Sequence, residues 1–191
     1  YYAPFRQAFP RRMQGYYADQ LREVTRLVET RPGQRLLEVG CGCGSESLWL
    51  ALRGADVLGL DLRADRAATA RARADLLSAA TGRPLKLRFQ TSNLLDLDPA
   101  DGGFDIIWME QAFHHLEPRQ TVVAHLAALL RPGGWLVISE ANGWNPLLQT
   151  QLFLQRGPRT VIRYTDEDGR EHQYGNERVL SAMALSHLLS D

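Results

Sequence analysis

The sequence predicts an α/β fold: one parallel sheet with helices wound over both faces, in a single domain. Three observations predict it. Short apolar runs of strand length alternate along the chain with longer runs of helical pattern. The first of these runs, Leu36-Leu37-Glu38-Val39, passes straight through Gly40, Gly42 and Gly44 into a helical segment at Ser45. Each later strand is reached only after a helix, so successive strands lie parallel and are joined by right-handed crossovers. A chain of 191 residues is long enough for one domain with a full core.

Composition narrows the function classes. Lys+Arg 22 balance Asp+Glu 22. A neutral protein has no general attraction to nucleic acid or to anionic membranes, so neither is an expected partner. Lys86 is the only lysine, a composition bias carrying no functional signal. The only cysteines, Cys41 and Cys43, lie inside the glycine turn. They are too close for an ordinary disulfide, and no further Cys completes a zinc site. No metal cluster is visible in the pattern, and none is expected. No secretory leader and no 18-residue apolar run occurs, so the expected compartment is the cytoplasm. The first residue is Tyr1, not Met, so the natural start is expected to lie upstream.

Residues 1–14 are aromatic and basic with two prolines, an arm or lid edge. Residues 16–29 form a helix with Leu21, Val24, Leu27 and Val28 on one face, broken by Arg31-Pro32-Gly33. The strand Leu36–Val39 follows. Ser45 is the expected N-cap of the next helix, with Glu46 in its first turn, where a negative charge suits the dipole. Leu48, Ala51 and Leu52 give that helix an apolar stripe, and Gly54 ends it.

A strand, a glycine turn and a helix N-terminus together make a ligand cradle. The dinucleotide fingerprint places glycines at positions one, three and six. Counted from Gly40, the sixth position is Ser45, and Glu38 stands two residues before the first glycine. A carboxylate there repels a pyrophosphate and suits a ligand with a cationic amino-acid end. S-adenosylmethionine (SAM) is such a ligand.

Asp56–Asp61 is a second strand ending in an acid, 21 residues beyond Gly40. An acid at that spacing takes both hydroxyls of a ribose, since a carboxylate accepts from two O–H donors at once. Its other reading is a cap for the next helix, over 64–80, which Gly82 and Pro84 end. Leu85, Leu87 and Phe89 then alternate with Lys86, Arg88 and Gln90, the pattern of an edge strand. Phe104–Trp108 is a buried strand, followed by Met109-Glu110-Gln111-Ala112-Phe113-His114-His115-Leu116 just past its C-terminal end, where open α/β sheets bind ligands. Pro118 starts a helix with Val122, Leu126, Leu129 and Leu130 inward. Arg131-Pro132-Gly133-Gly134 turns the chain into a fifth strand, Trp135–Ser139.

The stretch LLEVGCGCG resembles the first motif of class I SAM-dependent methyltransferases, and LLRPGGWLVISE resembles that family's entry into strand five. The resemblance covers about residues 33–142. It implies a Rossmann-like sheet in the order 3-2-1-4-5, with SAM as cofactor, S-adenosylhomocysteine (SAH) as product and a small-molecule acceptor. It implies that Glu38, Gly40, Cys41, Gly42 and Gly44 hold the methionine end and ribose, with Asp61 and Leu62 at the ribose. Asn93 and Leu94 fall at the adenine-contacting segment, where the family has an acid in place of Asn93; Asp96 is the alternative. Glu110, past strand four, belongs to the same cofactor-binding set, and Tyr16 or Tyr17 reaches the SAM carboxylate. His114, His115 and Glu140 are the candidate catalytic groups, with His114 expected nearer the acceptor and His115 against the cofactor loop. His125 and His172 read as surface residues.

These readings divide the domain into an N-terminal arm and helix (1–32), a cofactor-binding core (33–142), a cap insertion (143–178) and the start of a C-terminal helix (179–191). The cap carries a helix from Asn145-Pro146 and a hairpin turning at Asp168-Gly169. The family's last two strands are expected next and do not occur in these residues. An exposed fifth-strand edge is an aggregation liability, which favours their lying beyond them. The competing readings are an NAD-type oxidoreductase, disfavoured by Ser45 and Glu38, and a non-catalytic SAM-binding protein of the same fold.

Overall fold

In the computed structural model, residues 18–165 and 169–190 are described. The arm 1–14, Tyr16, Tyr17 and Asp168 lie outside them. Helix α1 (Ala18–Thr30) buries Leu21, Val24, Leu27 and Val28, the expected face. Strand β1 (Arg35–Val39) leads into α2 (Ser45–Leu52), β2 (Asp56–Asp61), α3 (Ala64–Thr81) and β3 (Leu87–Thr91). Strand β4 (Phe104–Glu110), α4 (Arg119–Leu129) and β5 (Leu130–Ser139) complete the core. The five strands are parallel and ordered β3-β2-β1-β4-β5.

Strand alternation builds two apolar layers from one sheet. Leu36, Ile106 and Trp108 face α1 and α2. Their neighbours Leu37, Ile107 and Met109 face α4 and the turns after β3. The lower end of the sheet is pinned by buried Asp105, which accepts from the Arg35 N–H at 2.7 Å and pairs with Arg131. The sheet's order reverses between β1 and β4, and a crevice at the strand ends belongs there.

Several local expectations are corrected. Gly44, in the left-handed region at φ +74°, is the N-cap of α2, and Ser45 is its first helical residue. The helix is only two turns long and buries Ser47, Leu48, Leu50 and Ala51, leaving Leu52 exposed. Strand β5 begins at Leu130, five residues earlier than predicted. Leu130 pairs with Phe104 and Trp135 with Ile106, so the Pro-Gly-Gly turn is an irregularity inside one strand.

Beyond the core, Asn145 caps α5 (Pro146–Arg156) by accepting from the Leu147 and Leu148 N–H groups. Of its apolar residues Leu152 alone is buried; Leu147, Phe153 and Leu154 are exposed. Strands β6 (Val161–Thr165) and β7 (Glu171–Gly175) form the antiparallel hairpin, and α6 (Ala182–Ser190) follows. The hairpin packs on the turn after β4. Tyr174 bridges to Leu116, and a Cβ at Gly175 would overlap the His114 carbonyl, so glycine is needed there.

Candidate functional site

The site is built at the C-terminal ends of β1, β2 and β4. After Val39 the chain turns back, with the Gly40 and Cys41 N–H groups both donating to the Leu60 carbonyl at 2.8 and 2.9 Å. Asp61 holds the glycine loop from below. Its Oδ2 accepts from the Gly42 N–H at 2.8 Å, and its Oδ1 accepts from the Arg63 N–H at 2.8 Å. Asp61 therefore braces the loop and the entry to α3, whose N-cap is Arg63, while lying on a cavity wall. The cavity holds about 460 Å³ and runs from Gly40 and Asp61 to His115 and Tyr174.

The glycines divide by role. A Cβ on Gly40 would sit 2.8 Å from the Ala112 Cβ, closing the crevice between the β1 and β4 loops. Gly42 has no atom within 4 Å of where its Cβ would be. A Cβ on Gly44 would instead meet Phe89 and Ala70 at 2.7 and 2.9 Å, so packing between α2, α3 and β3 excludes a side chain there. Cys41 turns inward, where burial pushes its thiol pKa up, while Cys43 is exposed.

Leu62, Asn93 and Leu94 line the cavity as expected, Leu62 as a 57% exposed rim residue. Asn93 Oδ1 already accepts from the Leu95 N–H at 3.0 Å, capping a short turn, so the atom expected to meet an adenine amino group has a backbone partner. Asp96 is exposed, outside the cavity lining.

Glu38 differs most from expectation. It is 2% exposed and accepts the Ser47 hydroxyl proton, behind the glycine loop instead of on the cavity wall. Glycine at 59 makes room for this pair, since a Cβ there would lie 2.9 Å from the Ser47 Oγ. Burial raises the Glu38 pKa well above the usual carboxylate range, and the nearby Glu46 charge adds to it. Burial likewise raises Glu110, helped by Glu46 and Glu140, and it raises Glu46 against the pull of Arg73. An acidic wall thus surrounds the N-terminus of α2, its members held toward the neutral form by burial and none of them on the cavity lining. A cation brought against it would favour the ionised form.

The histidines follow β4 on a short turn, Phe113–His115. Their placement differs from the expectation that His114 faces the cleft: His115 lines the cavity and His114 does not. His114 is buried: its N–H donates to Glu140 Oε1 at 3.1 Å and its Nδ1 lies 2.7 Å from Glu140 Oε2. His115 faces the cavity, stacked on the Tyr174 ring at 4.6 Å between centroids. The difference arises because Glu140, at the end of β5, lies on the His114 side and captures that ring, although the two imidazoles stay close together. Sequence reasoning missed Tyr174 and Glu177. They stand some 60 residues beyond the histidines, and only the hairpin's docking brings them in.

The chain matches the family model described as Methyltransferase domain over residues 37–138. It is 33% identical over 144 residues to a ubiquinone biosynthesis O-methyltransferase from Bordetella avium, covering 75% of this chain and 56% of that protein. It is 32% identical to the methyltransferase GfsG of Streptomyces halstedii, covering 59% of this chain and 40% of that one. The chain thus spans about half the length of these relatives. Among solved structures, magnesium protoporphyrin IX methyltransferase from Synechocystis PCC 6803, with bound SAH, superposes with a TM-score of 0.65 at 23% identity, covering 92% of this chain and 72% of that one. With the matched segment spanning just over half of the chain, from β1 through β5, this protein belongs to the methyltransferase domain family.

Proposed function

We propose that the protein is a SAM-dependent methyltransferase acting on a small-molecule acceptor. The observation that carries the reading is Asp61: one carboxylate braces the left-handed glycine loop and also borders the cavity. The residues present suit the cofactor. Each Asp61 oxygen keeps a lone pair for a ribose hydroxyl beyond its backbone partner. Leu62 and Leu94 offer apolar surface to an adenine. Glu38, Glu46 and Glu110 are held toward their neutral forms by burial, and a cationic ligand brought near them would favour the ionised forms. Tyr16 belongs to the proposed cofactor set on the resemblance alone.

When bound, SAM supplies an electrophilic methyl group on a sulfonium leaving group. The protein's task is alignment and exclusion of water. His115, Tyr164 and Tyr174 bound the other end of the cavity, so in this reading the β6–β7 hairpin covers the acceptor. The Bordetella relative is named an O-methyltransferase, which puts hydroxyl-bearing acceptors first. No helix among the described residues is long and apolar enough to cross a membrane. The free thiols fit a cytoplasmic setting, with neither nucleic acid nor membrane as partner.

Calorimetric titration with SAM, SAH and NAD tests the cofactor, and turnover of methyl-labelled SAM on a panel of hydroxyl- and amine-bearing metabolites tests the reaction. The expected result is binding of SAM and SAH, none of NAD, and label transfer to one class. NAD binding without a response to SAM overturns the reading. SAM binding with no transfer to any acceptor makes the protein a non-catalytic binder.

A further inference from the structure

At the acceptor end of the cavity, three metal-ligating side chains converge. The ligand atoms of His114, His115 and Glu177 all lie within 4.8 Å of one another. His114 Nε2 is 3.5 Å from Glu177 Oε2, and His115 Nε2 is 4.0 Å from Glu177 Oε1. The two imidazole rings stand 4.0 Å apart at their centroids.

The hydrogen bonds on the far side of each ring fix which nitrogen is free. His115 Nδ1 lies 2.9 Å from the Gly175 carbonyl oxygen, which only accepts, so Nδ1 carries the proton. In the neutral ring the lone pair is then on Nε2. His114 Nδ1 faces Glu140 Oε2 at 2.7 Å, and a carboxylate oriented in this way directs the proton to Nδ1. Both Nε2 atoms then lie near the same carboxylate, His115 Nε2 also accepting from the Tyr174 hydroxyl. Two imidazoles held through their second nitrogens by a carboxylate and a carbonyl form the arrangement in which metal-binding histidines are generally found.

Glu177 is itself held in position. It is one of two non-glycine residues with positive φ among those described, at +52°, and strained backbone of this kind collects at functional sites. The segment around it is tied on both sides. The Asn176 N–H donates to the Thr160 carbonyl at 2.9 Å, and Arg178 pairs with Glu117 at 2.6 Å.

We propose that His114, His115 and Glu177 form a divalent-cation site with an open coordination position on the acceptor side of the cavity. Two nitrogens and one carboxylate oxygen suit a borderline cation such as Zn²⁺. A tetrahedral site with metal–ligand bonds of about 2.0–2.1 Å spaces its ligand atoms about 3.3 Å apart. The three groups reach that spacing by small side-chain rotations, since Glu177 is partly exposed and His115 is not fully enclosed. The open position faces the cavity because His115 and Tyr174 line it, with the Tyr174 hydroxyl 3.3 Å from His115 Nε2. There the cation would hold and orient an acceptor oxygen, a role that rests on the methyl-transfer reading. The cation site itself does not depend on that reading.

The test uses the whole chain with a Cys43→Ser substitution, which removes the exposed thiol as an adventitious ligand. Zn²⁺ alone is titrated by calorimetry, and Co²⁺ is followed by its visible absorption. One equivalent of Zn²⁺ and a four- or five-coordinate Co²⁺ spectrum are expected. Glu140→Gln leaves all three ligands in place and should weaken Zn²⁺ about 10–100-fold, the range for an outer partner of a metal-binding histidine. His115→Ala and Glu177→Gln should weaken it at least as much. Titration with SAH on the same proteins shows that each variant is folded and separates failure of the cation site from failure of the cofactor reading. Less than one equivalent bound, or an affinity unchanged in both His115→Ala and Glu177→Gln, overturns the proposal. In that case His114 serves as a bridge between Glu140 and Glu177.

Discussion

Asp61 Oδ2 accepts the Gly42 N–H at 2.8 Å, across the 19 residues that separate β2's last position from the loop after β1. This bond joins the glycine loop to the neighbouring strand, and it makes loop shape and cavity wall depend on one carboxylate. Asp61→Ala removes it together with the Arg63 bond. Hydrogen bonds to charged groups contribute about 1.5–3 kcal/mol each, so we expect a loss of that order in SAH affinity by calorimetry, with some loss of thermal stability. Turnover at saturating SAM should change much less, since the contact is equal in ground and transition states. Unchanged SAH affinity would reduce Asp61 to a helix-entry brace.

Gly40 and Gly44 should separate binding from folding. Gly44→Ala drives a methyl group into Phe89 and Ala70 at a left-handed position, so the melting temperature should fall sharply. Gly42→Ala meets no atom within 4 Å and bears only the cost of the left-handed backbone, about 1–2 kcal/mol. Gly40→Ala presses on Ala112 at the crevice, and its loss should appear in ligand affinity. Equal melting temperatures for the Gly42 and Gly44 variants would refute this division.

The acidic wall makes a prediction about pH. Glu46 and Glu110 have raised pKa values in the free protein, burial being the main cause. Their ionisation weakens the fold as pH rises above their ordinary value of 4.5, and below that value the strain is absent. A sulfonium cation relieves it, whereas neutral sulfur does not. The ratio of SAM affinity to SAH affinity should therefore rise with pH through the carboxylate range. Calorimetry with both ligands at several pH values measures it, and a flat ratio would show that these carboxylates do not sense the sulfur.

His115 carries the opposite sign. Burial lowers its pKa; the Gly175 carbonyl opposes this, the neighbouring His114 adds to it, and Glu177 and Glu140 oppose it. The contribution is fully present above the unfolded value of about 6.5 and is lost as pH falls through the folded value, because the unfolded chain takes up the proton first. His115→Gln should flatten the stability profile below that pH in chemical denaturation. A wild-type profile already flat there would remove the effect.

The hairpin's attachment rests on a buried ion pair. Glu117 and Arg119 are both buried, 3.2 Å apart, and Glu117 also takes Arg178 at 2.6 Å. Arg119 in turn donates to the Arg178 carbonyl. Glu117→Ala leaves a buried guanidinium without its carboxylate, a loss of about 3–5 kcal/mol for pairs of this kind. Denaturant melts should show it, with the segment at Glu177 gaining hydrogen exchange before the core does. Exchange rising uniformly would mean that the pair holds the core instead.

The sequence by itself determined the sheet. Leu36–Val39, Asp56–Asp61 and Phe104–Trp108 are legible because a strand buried on both faces must be apolar throughout. Gly40 and Gly42 are legible because the turn after β1 needs left-handed backbone, and Asp61 because its spacing from Gly40 follows from one βαβ unit. These are local rules, set by neighbours within one turn or one strand. Tertiary structure alone decided which acids and histidines face the cavity. Glu38 lies behind the loop because Ser47 and Gly59 offer it a partner and room. His115 lines the cavity and His114 does not because Glu140, 26 residues away, captures His114. Tyr174 and Glu177 joined the site because the hairpin docks where Gly175 lacks a side chain. The sign of a side chain's surroundings depends on contacts made by distant residues, and no pattern within one segment records them.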